Sequence, residues 1–387
     1  MTRATANELK AWLQAREQEM LDLLEAAVNI DSSSADKRGV DRVATLLADA
    51  LGSSGIRATR KPLDAHGDCV LAEVASDRDG GQGHVLLLGH MDTVFPTGTA
   101  SDRPFRVDGD TGYGPGVADM KAGLVMNAFV ARAFAELGGH GALLRVLFTG
   151  DEEVASPSSR LITKEAARGA LAVFNAEPGR PSGNVVTGRK GGLFIDFEVK
   201  GVAAHAGVNP EKGASAIEAL ARKIVELHRL ADPATGISSN VGTVRGGMTV
   251  NTVADYAFAQ LDVRFPGDVD LDVLRARVVE IIERESLACT CARVVREGMF
   301  LPLSGDEGTQ RLLAAYQRSA TALNFTVKGE FTGGCADSGL TSSVGAPTLC
   351  AVGPIGGNVH TDREYCRIDS ILPRAQALAL TVLEVAA

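Results

Sequence analysis

Residues 85–94 read Val-Leu-Leu-Leu-Gly-His-Met-Asp-Thr-Val, an apolar run that stops at glycine and hands over to an imidazole and a carboxylate. Four consecutive aliphatic residues without polar alternation suit a strand buried on both faces of a mostly parallel sheet. The pattern recurs twice. Leu143–Thr149, broken only by Arg145, runs into Gly150-Asp151, and Leu171–Phe174 runs into Asn175-Ala176-Glu177. Helical periodicity fills the intervals, notably Leu124–Leu137 after Lys121. Strand and helix in alternation imply an α/β layer structure. In such sheets the ligand sits beyond the carboxyl ends of the strands, which is where these polar residues fall.

After about residue 190 the pattern changes. Leu193, Ile195, Phe197 and Val199 alternate with Phe194, Asp196, Glu198 and Lys200, the mark of a strand with one solvated face. Ile217, Leu220, Ile224 and Leu227 predict a helix, Ala257–Phe265 a second alternating strand, and Val273–Ile282 another helix. The order suits β-α-β-β-α-β, a compact α+β insert over 190–299. Beyond Pro302 the α/β texture returns, through Pro347–Val352 to a C-terminal helix. The first domain is therefore expected to be discontinuous, built from 1–189 and 300–387, with the insert as a lid. At the N-terminus, Leu9, Trp12, Leu13, Met20, Leu24 and Val28 recur at the spacing of one amphipathic helix.

Composition excludes several classes. A chain of 387 residues with 45% hydrophobic and 22% charged residues is globular, neither disordered nor fibrous. Thirty-nine basic against 48 acidic residues leave a net charge of −9, which speaks against nucleic acid as a partner. No run of 18 apolar residues exists to cross a membrane, and the N-terminus has no apolar leader core. The six cysteines, at 69, 289, 291, 335, 350 and 366, form no CxxC and fit reduced thiols of a cytoplasmic protein. Glycine is in excess, 43 of 387, about 11% against a usual share of roughly 7%.

The residues at the strand ends are acids and histidines. His90-Met-Asp92 follows the first run, Asp119 lies in GPGVADMKAG, Glu152-Glu153 in TGDEE, Glu177 in NAEPG and His360 in NVHTD. Taken singly, a His-x-Asp is more often structural and a Glu-Glu pair is usually a solvated helix start. Joint placement beside strand ends and in glycine-rich turns changes the reading, because clustered acids need something to neutralise them. Two histidines with three or more carboxylates fit zinc or a similar divalent ion, and so many acids suit two ions rather than one. One carboxylate beyond the ligands can serve as general base, and the adjacent pair at 152 and 153 supplies a base beside a ligand. Amide hydrolysis is the chemistry such a site most naturally performs.

LLLGHMDTV, GYGPGVADMKAG, FTGDEE, NAEP and VHTD, in this order over residues 85–365, resemble the dinuclear zinc peptidase and deacylase family. That family includes glutamate carboxypeptidases, acetylornithine deacetylases, succinyl-diaminopimelate desuccinylases and aminoacylases. Within it, the HMDTV, FRV-G-YGPG and HAG stretches look most like bacterial glutamate carboxypeptidases. The resemblance implies a zinc-peptidase catalytic domain with an inserted lid and dimerisation domain, and two Zn2+ per chain, with Co2+ or Mn2+ as alternatives. It implies His90 and Glu177 on one ion, Glu153 and His360 on the other, and Asp119 bridging both. Asp92 would orient the His90 imidazole, and Glu152 would take the proton from the attacking water and pass it to the leaving nitrogen.

From the lid, KGVAAHAG resembles the family's motif, so His205 would stabilise the oxyanion, reaching across a homodimer; a hydrogen-bonded turn histidine is the alternative. Asn251 and Arg264 match residues that hold the substrate carboxylate, although Arg264 shares a strand face with Asp262 and a plain ion pair is its other reading. Gly333 and Gly334 would form a backbone turn near the substrate. Cys335 departs from the family, which carries a small residue or threonine there. The expectation is a cytoplasmic hydrolase of N-acyl amino acids or short peptides ending in an acidic, glutamate-like residue. Its rivals are a deacetylase or desuccinylase of amino-acid biosynthesis and a non-catalytic binding relative.

Overall fold

The computed structural model describes residues 5–76, 83–138 and 141–387. They fall into two compact units. The first comprises the described residues up to Gly188 together with Leu303–Thr332 and Ala336–Ala387; the second is Arg189–Pro302 with Gly333–Cys335. The last three residues, expected in the third stretch of sequence, belong to the second unit. There the Arg189 guanidinium holds the carbonyls of Gly334 and Cys335 at 3.2 and 3.1 Å.

The first unit is built on an eight-stranded sheet. Its centre is His84–His90, buried at all seven positions, with Leu143–Thr149 parallel on one side and Ala170–Asn175 parallel on the other. Thr348–Cys350 continues the parallel set beyond Ala170–Asn175. The flanks are antiparallel: Cys69–Val74 and Ala58–Lys61 at one end, Val185–Arg189 at the other, with Gly329–Thr332 at the edge. The continuous apolar runs thus became the central strands, because only strands covered on both faces need no polar side. The helix Ala122–Leu137 is buried from Ala122 through Phe134, as befits a helix apolar all round.

The N-terminal periodicity resolves into two helices, Ala6–Gln14 and Glu17–Val28, rather than one. Arg16 leaves helical geometry (φ −118°, ψ 17°), its guanidinium lies 3.9 Å from the Trp12 ring centroid, and it pairs with Glu136 at 3.3 Å. All six apolar residues that suggested the helix are nonetheless buried. The C-terminal helix Ile371–Val385 packs on Ala6–Gln14, with the Gln376 amide donating to the Lys10 carbonyl at 3.1 Å.

Gly123 shows how tightly the first unit closes. A Cβ there would stand 2.0 Å from the Ala176 carbonyl oxygen, so the helix Ala122–Leu137 can meet the end of Ala170–Asn175 only through glycine. Gly123→Ala is expected to destabilise at or above the upper end of the about 1–3 kcal/mol typical of overpacking. Thermal unfolding checks this, and a midpoint within 1–2 °C of the native one would contradict the contact.

The second unit has the β-α-β-β-α-β order. Its sheet runs Ser238–Gly246, Tyr256–Phe265, Gly191–Lys200, Cys291–Phe300, with antiparallel neighbours throughout. Leu193, Ile195, Phe197 and Val199 join Leu220, Leu227, Leu274 and Val278 of the helices Ala216–His228 and Leu271–Glu283 in a separate core. Ile217, expected on the apolar face of its helix, is 45% exposed. Among the described residues no helix is long and apolar enough to cross a membrane, and none of the six cysteines forms a disulfide.

Candidate metal centre

His90 ends the central strand, Glu152 and Glu153 follow Leu143–Thr149, and Glu177 follows Ala170–Asn175. Parallel strands deliver their carboxyl ends to one side, so three segments distant in sequence converge. Asp119 arrives on the loop before Ala122–Leu137, and His360 on the loop joining Gly356–Gly357 to Tyr365–Arg367. All lie in the first unit.

Two triads result, His90–Asp119–Glu177 and Asp119–Glu153–His360, each with donor atoms within 4.8 Å of one another. Asp119 divides its carboxylate between them: Oδ1 lies 3.2 Å from His90 Nε2, and Oδ2 lies 3.3 Å from His360 Nε2. Glu177 Oε1 stands 3.8 Å from His90 Nε2, and Glu153 Oε2 stands 3.2 Å from His360 Nε2. Glu152 approaches His90 Nε2 only to 4.0 Å and belongs to neither triad.

The residues fit divalent ions. Glu153 Oε1 is buried with no hydrogen-bond partner among the described residues, a costly state for a carboxylate oxygen unless a cation meets it. Burial opposes protonation of His90, but Glu152, Asp119, Asp92 and Glu177 outweigh it and raise its pKa well above the usual value. Hydrogen bonds donated to the Asp119 and Glu153 carboxylates push His360 up to about 10. Burial raises Glu152 well above the usual carboxylate range, a push that His90 opposes and Glu177 reinforces. Clustered acids that draw protons onto imidazoles draw metal cations for the same reason.

Asp92 stands against the His90 ring, where the resemblance puts it, and takes a second part as well. The Nδ1 of His90 lies closest to the Asp92 carbonyl oxygen, 3.0 Å away, and 3.4 Å from the carboxylate. An Nδ1–H donated to that carbonyl leaves the Nε2 lone pair facing Asp119 and Glu177. The Asp92 carboxylate also accepts the backbone N–H groups of Glu152 and Glu153 at 3.1 and 3.0 Å and the Ser34 hydroxyl at 2.6 Å. It therefore sets the backbone from which the Glu152 and Glu153 side chains project.

Three residues of the site escaped the sequence reading. Glu364, 1% exposed, accepts the N–H groups of Gly116, Ala118 and Asp119 at 3.1, 2.9 and 3.0 Å; burial pushes its carboxyl up to about 7 against those bonds. Lys121 donates its ammonium to the Ile30 and Pro115 carbonyls at 2.9 and 3.3 Å, and burial pulls its pKa down to about 7. Asp337 accepts the Ser156 hydroxyl, and burial raises it to about 7. A charged residue inside or just beyond a ligand motif was the only available signal, and it serves for Glu364 and Lys121 alone.

The remaining expected residues lie in the second unit. His205 is exposed; its Nδ1 accepts from the Gly207 N–H at 3.1 Å, which makes Nε2 the protonated nitrogen. The Asn251 carbonyl accepts from the Ala206 N–H at 2.9 Å, beside that histidine. Arg264 gives its bidentate fork to Asp262, at 2.7 and 3.0 Å, because residues two apart share a strand face. Its third edge meets Cys335 Sγ at 2.8 Å, and its guanidinium carbon lies 4.7 Å from the Phe194 ring centroid. Gly333 sits at a bend, and the Gly334 carbonyl beside it accepts from Arg189.

Comparison with known proteins agrees with this geometry. The sequence profile described as Peptidase family M20/M25/M40 matches residues 86–384. Carboxypeptidase G2 of Pseudomonas sp. (strain RS-16) is 28% identical over 380 residues, covering 95% of this chain and 89% of that protein. Succinyl-diaminopimelate desuccinylase of Paraburkholderia xenovorans (strain LB400) is also 28% identical, over 352 residues, covering 85% of this chain and 89% of that protein. The crystal structure of Sso-CP2, an M20 family metallo-carboxypeptidase from Sulfolobus solfataricus, shares the fold at a TM-score of 0.76 with 18% identity, over 95% of this chain and 99% of the other. With a profile match across most of its length, the chain belongs to peptidase family M20/M25/M40 and is a metal-dependent hydrolase.

Proposed function

We propose that this hydrolase cleaves the amide bond of N-acyl amino acids or short peptides that end in an acidic, glutamate-like residue. The observation that carries the metal part of this reading is the division of the Asp119 carboxylate between two imidazoles, each backed by a further acid. His90, Glu177 and Asp119 would hold one zinc ion, and Asp119, Glu153 and His360 the other, with cobalt or manganese as substitutes. When bound, two such ions polarise the scissile carbonyl and acidify water at neutral pH.

Glu152 is the base that takes the proton from the attacking water and hands it to the leaving nitrogen. Its place outside both triads leaves the carboxylate free for that task. His205, with its protonated Nε2, would steady the oxyanion of the tetrahedral intermediate. Arg264 and Asn251 would receive the substrate carboxylate, Arg264 by sharing or exchanging Asp262, with the Gly333–Gly334 turn beside them. The similarity to Carboxypeptidase G2 over 95% of the chain supports a carboxypeptidase-like substrate. Equal identity to a desuccinylase keeps succinylated or acetylated diamino acids as the second reading. A homodimer through the second unit, in the cytoplasm, completes the proposal. It is supported by the edge strand Ser238–Gly246, where Val244 is 54% exposed, and by Met248 and Val250 just beyond it, 84% and 103% exposed.

A hydrolysis panel tests the substrate. Acyl-glutamates, acyl-aspartates, acetylornithine, succinyl-diaminopimelate and hydrophobic acyl amino acids are to be assayed with zinc-, cobalt- and manganese-loaded protein. The highest kcat/KM is expected for acyl-glutamates. Preference for acetylornithine or succinyl-diaminopimelate would hand the function to the second reading, and no turnover of any amide would overturn both.

A further inference from the structure

We infer that Glu364 is a positioning residue that builds the loop of the shared ligand before any metal arrives. The inference rests on the two-ion reading of the site and assigns a role outside both triads. The loop into Asp119 is not helical: Asp119 (φ −111°, ψ 90°) and Met120 (φ −132°, ψ 40°) break the pattern, and Gly116 sits at φ +71°. Backbone N–H groups in such a stretch lack the carbonyl partners a helix would provide, and buried ones must find others. Glu364 supplies them. Its Oε2 accepts from Gly116, and its Oε1 accepts from Ala118 and from Asp119 itself.

The same carboxylate ties two ligand loops together. Glu364 lies four residues beyond His360 and directly before the strand Tyr365–Arg367, which pairs with Thr111–Tyr113 at the entrance to the Asp119 loop. Asp119 and His360 belong to one triad, and their spacing depends on the register of these two loops. Asp92 does for Glu152 and Glu153 what Glu364 does for Asp119: a buried carboxylate outside the triads collects the backbone N–H groups of a ligand segment. Two separate segments that carry triad residues are thus each held by an internal acceptor.

The test uses Glu364→Gln. Glutamine fills the same volume but keeps one acceptor oxygen and turns an NH2 group toward the backbone. Metal affinity, measured by chelator competition on the full chain, is expected to fall by about 10–100-fold. The visible spectrum of the cobalt-loaded variant should change, while the circular dichroism of the metal-free form stays native. Excess metal should restore much of kcat with KM unaltered. Affinity within twofold of native together with an unchanged cobalt spectrum would overturn the inference.

Hydrogen exchange on the native metal-free chain keeps the test open should the variant fail to fold. The amides of Gly116, Ala118 and Asp119 are expected to be protected at least 100-fold, and exchange at unprotected rates would overturn the role. A native chain that takes up no divalent ion would sink the two-ion reading instead, and the amide exchange would still decide Glu364.

Discussion

Replacing Glu152 by glutamine is expected to lower kcat by about 10²–10⁴-fold, the range a general base contributes, with metal content unchanged. Glutamine keeps the shape of the side chain but cannot accept the proton of the attacking water. The separation of effects follows from geometry: Glu152 is 6% exposed, stands 4.0 Å from His90 Nε2 and lies in neither ligand triad. Its backbone is held by Asp92 and does not depend on its own carboxylate. The pH profile offers a second readout. Burial makes Glu152 hold its proton to a higher pH than an ordinary carboxylate, with His90 opposing. A base works only when deprotonated, so native kcat/KM should fall as pH drops, and the variant's residual rate should lack that limb. Activity within a few-fold of native would remove Glu152 from the mechanism.

Asp119→Ala is expected to have the larger effect on metal binding, since Asp119 alone belongs to both triads. Removing it deletes one donor from each ion at once, whereas His360→Ala would touch a single triad. The loss of affinity should exceed the about 100-fold that marks the removal of an outer partner. Metal analysis after dialysis should give two ions per native chain and close to none for Asp119→Ala, with His360→Ala between them. Two ions retained by the alanine variant would refute the shared-ligand arrangement.

The central sheet was legible in the sequence because burial on both faces leaves no polar residue to interrupt an aliphatic run. The residues of the two triads were legible because chemistry restricts metal donors to a few residue types at strand ends. What escaped was whatever acts on the backbone. Asp92 reads as a partner for the His90 ring, and both its carbonyl and its carboxylate stand by Nδ1, but nothing in the spacing shows that the carboxylate also collects the amides of Glu152 and Glu153. Glu364 stands just past the VHTD motif, but a carboxylate that serves main-chain N–H groups leaves no side-chain partner in the sequence to betray it. The break at Arg16 was equally silent, because apolar spacing continues across it while Arg16 folds back over Trp12. The sequence allows Arg264 two roles, and its fork is on Asp262.

The slot that Thr348–Cys350 fills, between Ala170–Asn175 and Val185–Arg189, imposes an order of events during synthesis. About 160 residues separate Arg189 from that strand. At roughly 5–20 residues per second, the slot stays open for about 10–30 s after its walls have been made. Through that interval Ala170–Asn175 presents an unpaired edge, the kind of surface that recruits another chain. The inserted unit, with its own core inside Arg189–Pro302, can close in the meantime. His360 is made later still, so a nascent chain cannot finish its metal site ahead of its sheet. A chain truncated before Thr348 should therefore aggregate through the first unit while the second still folds.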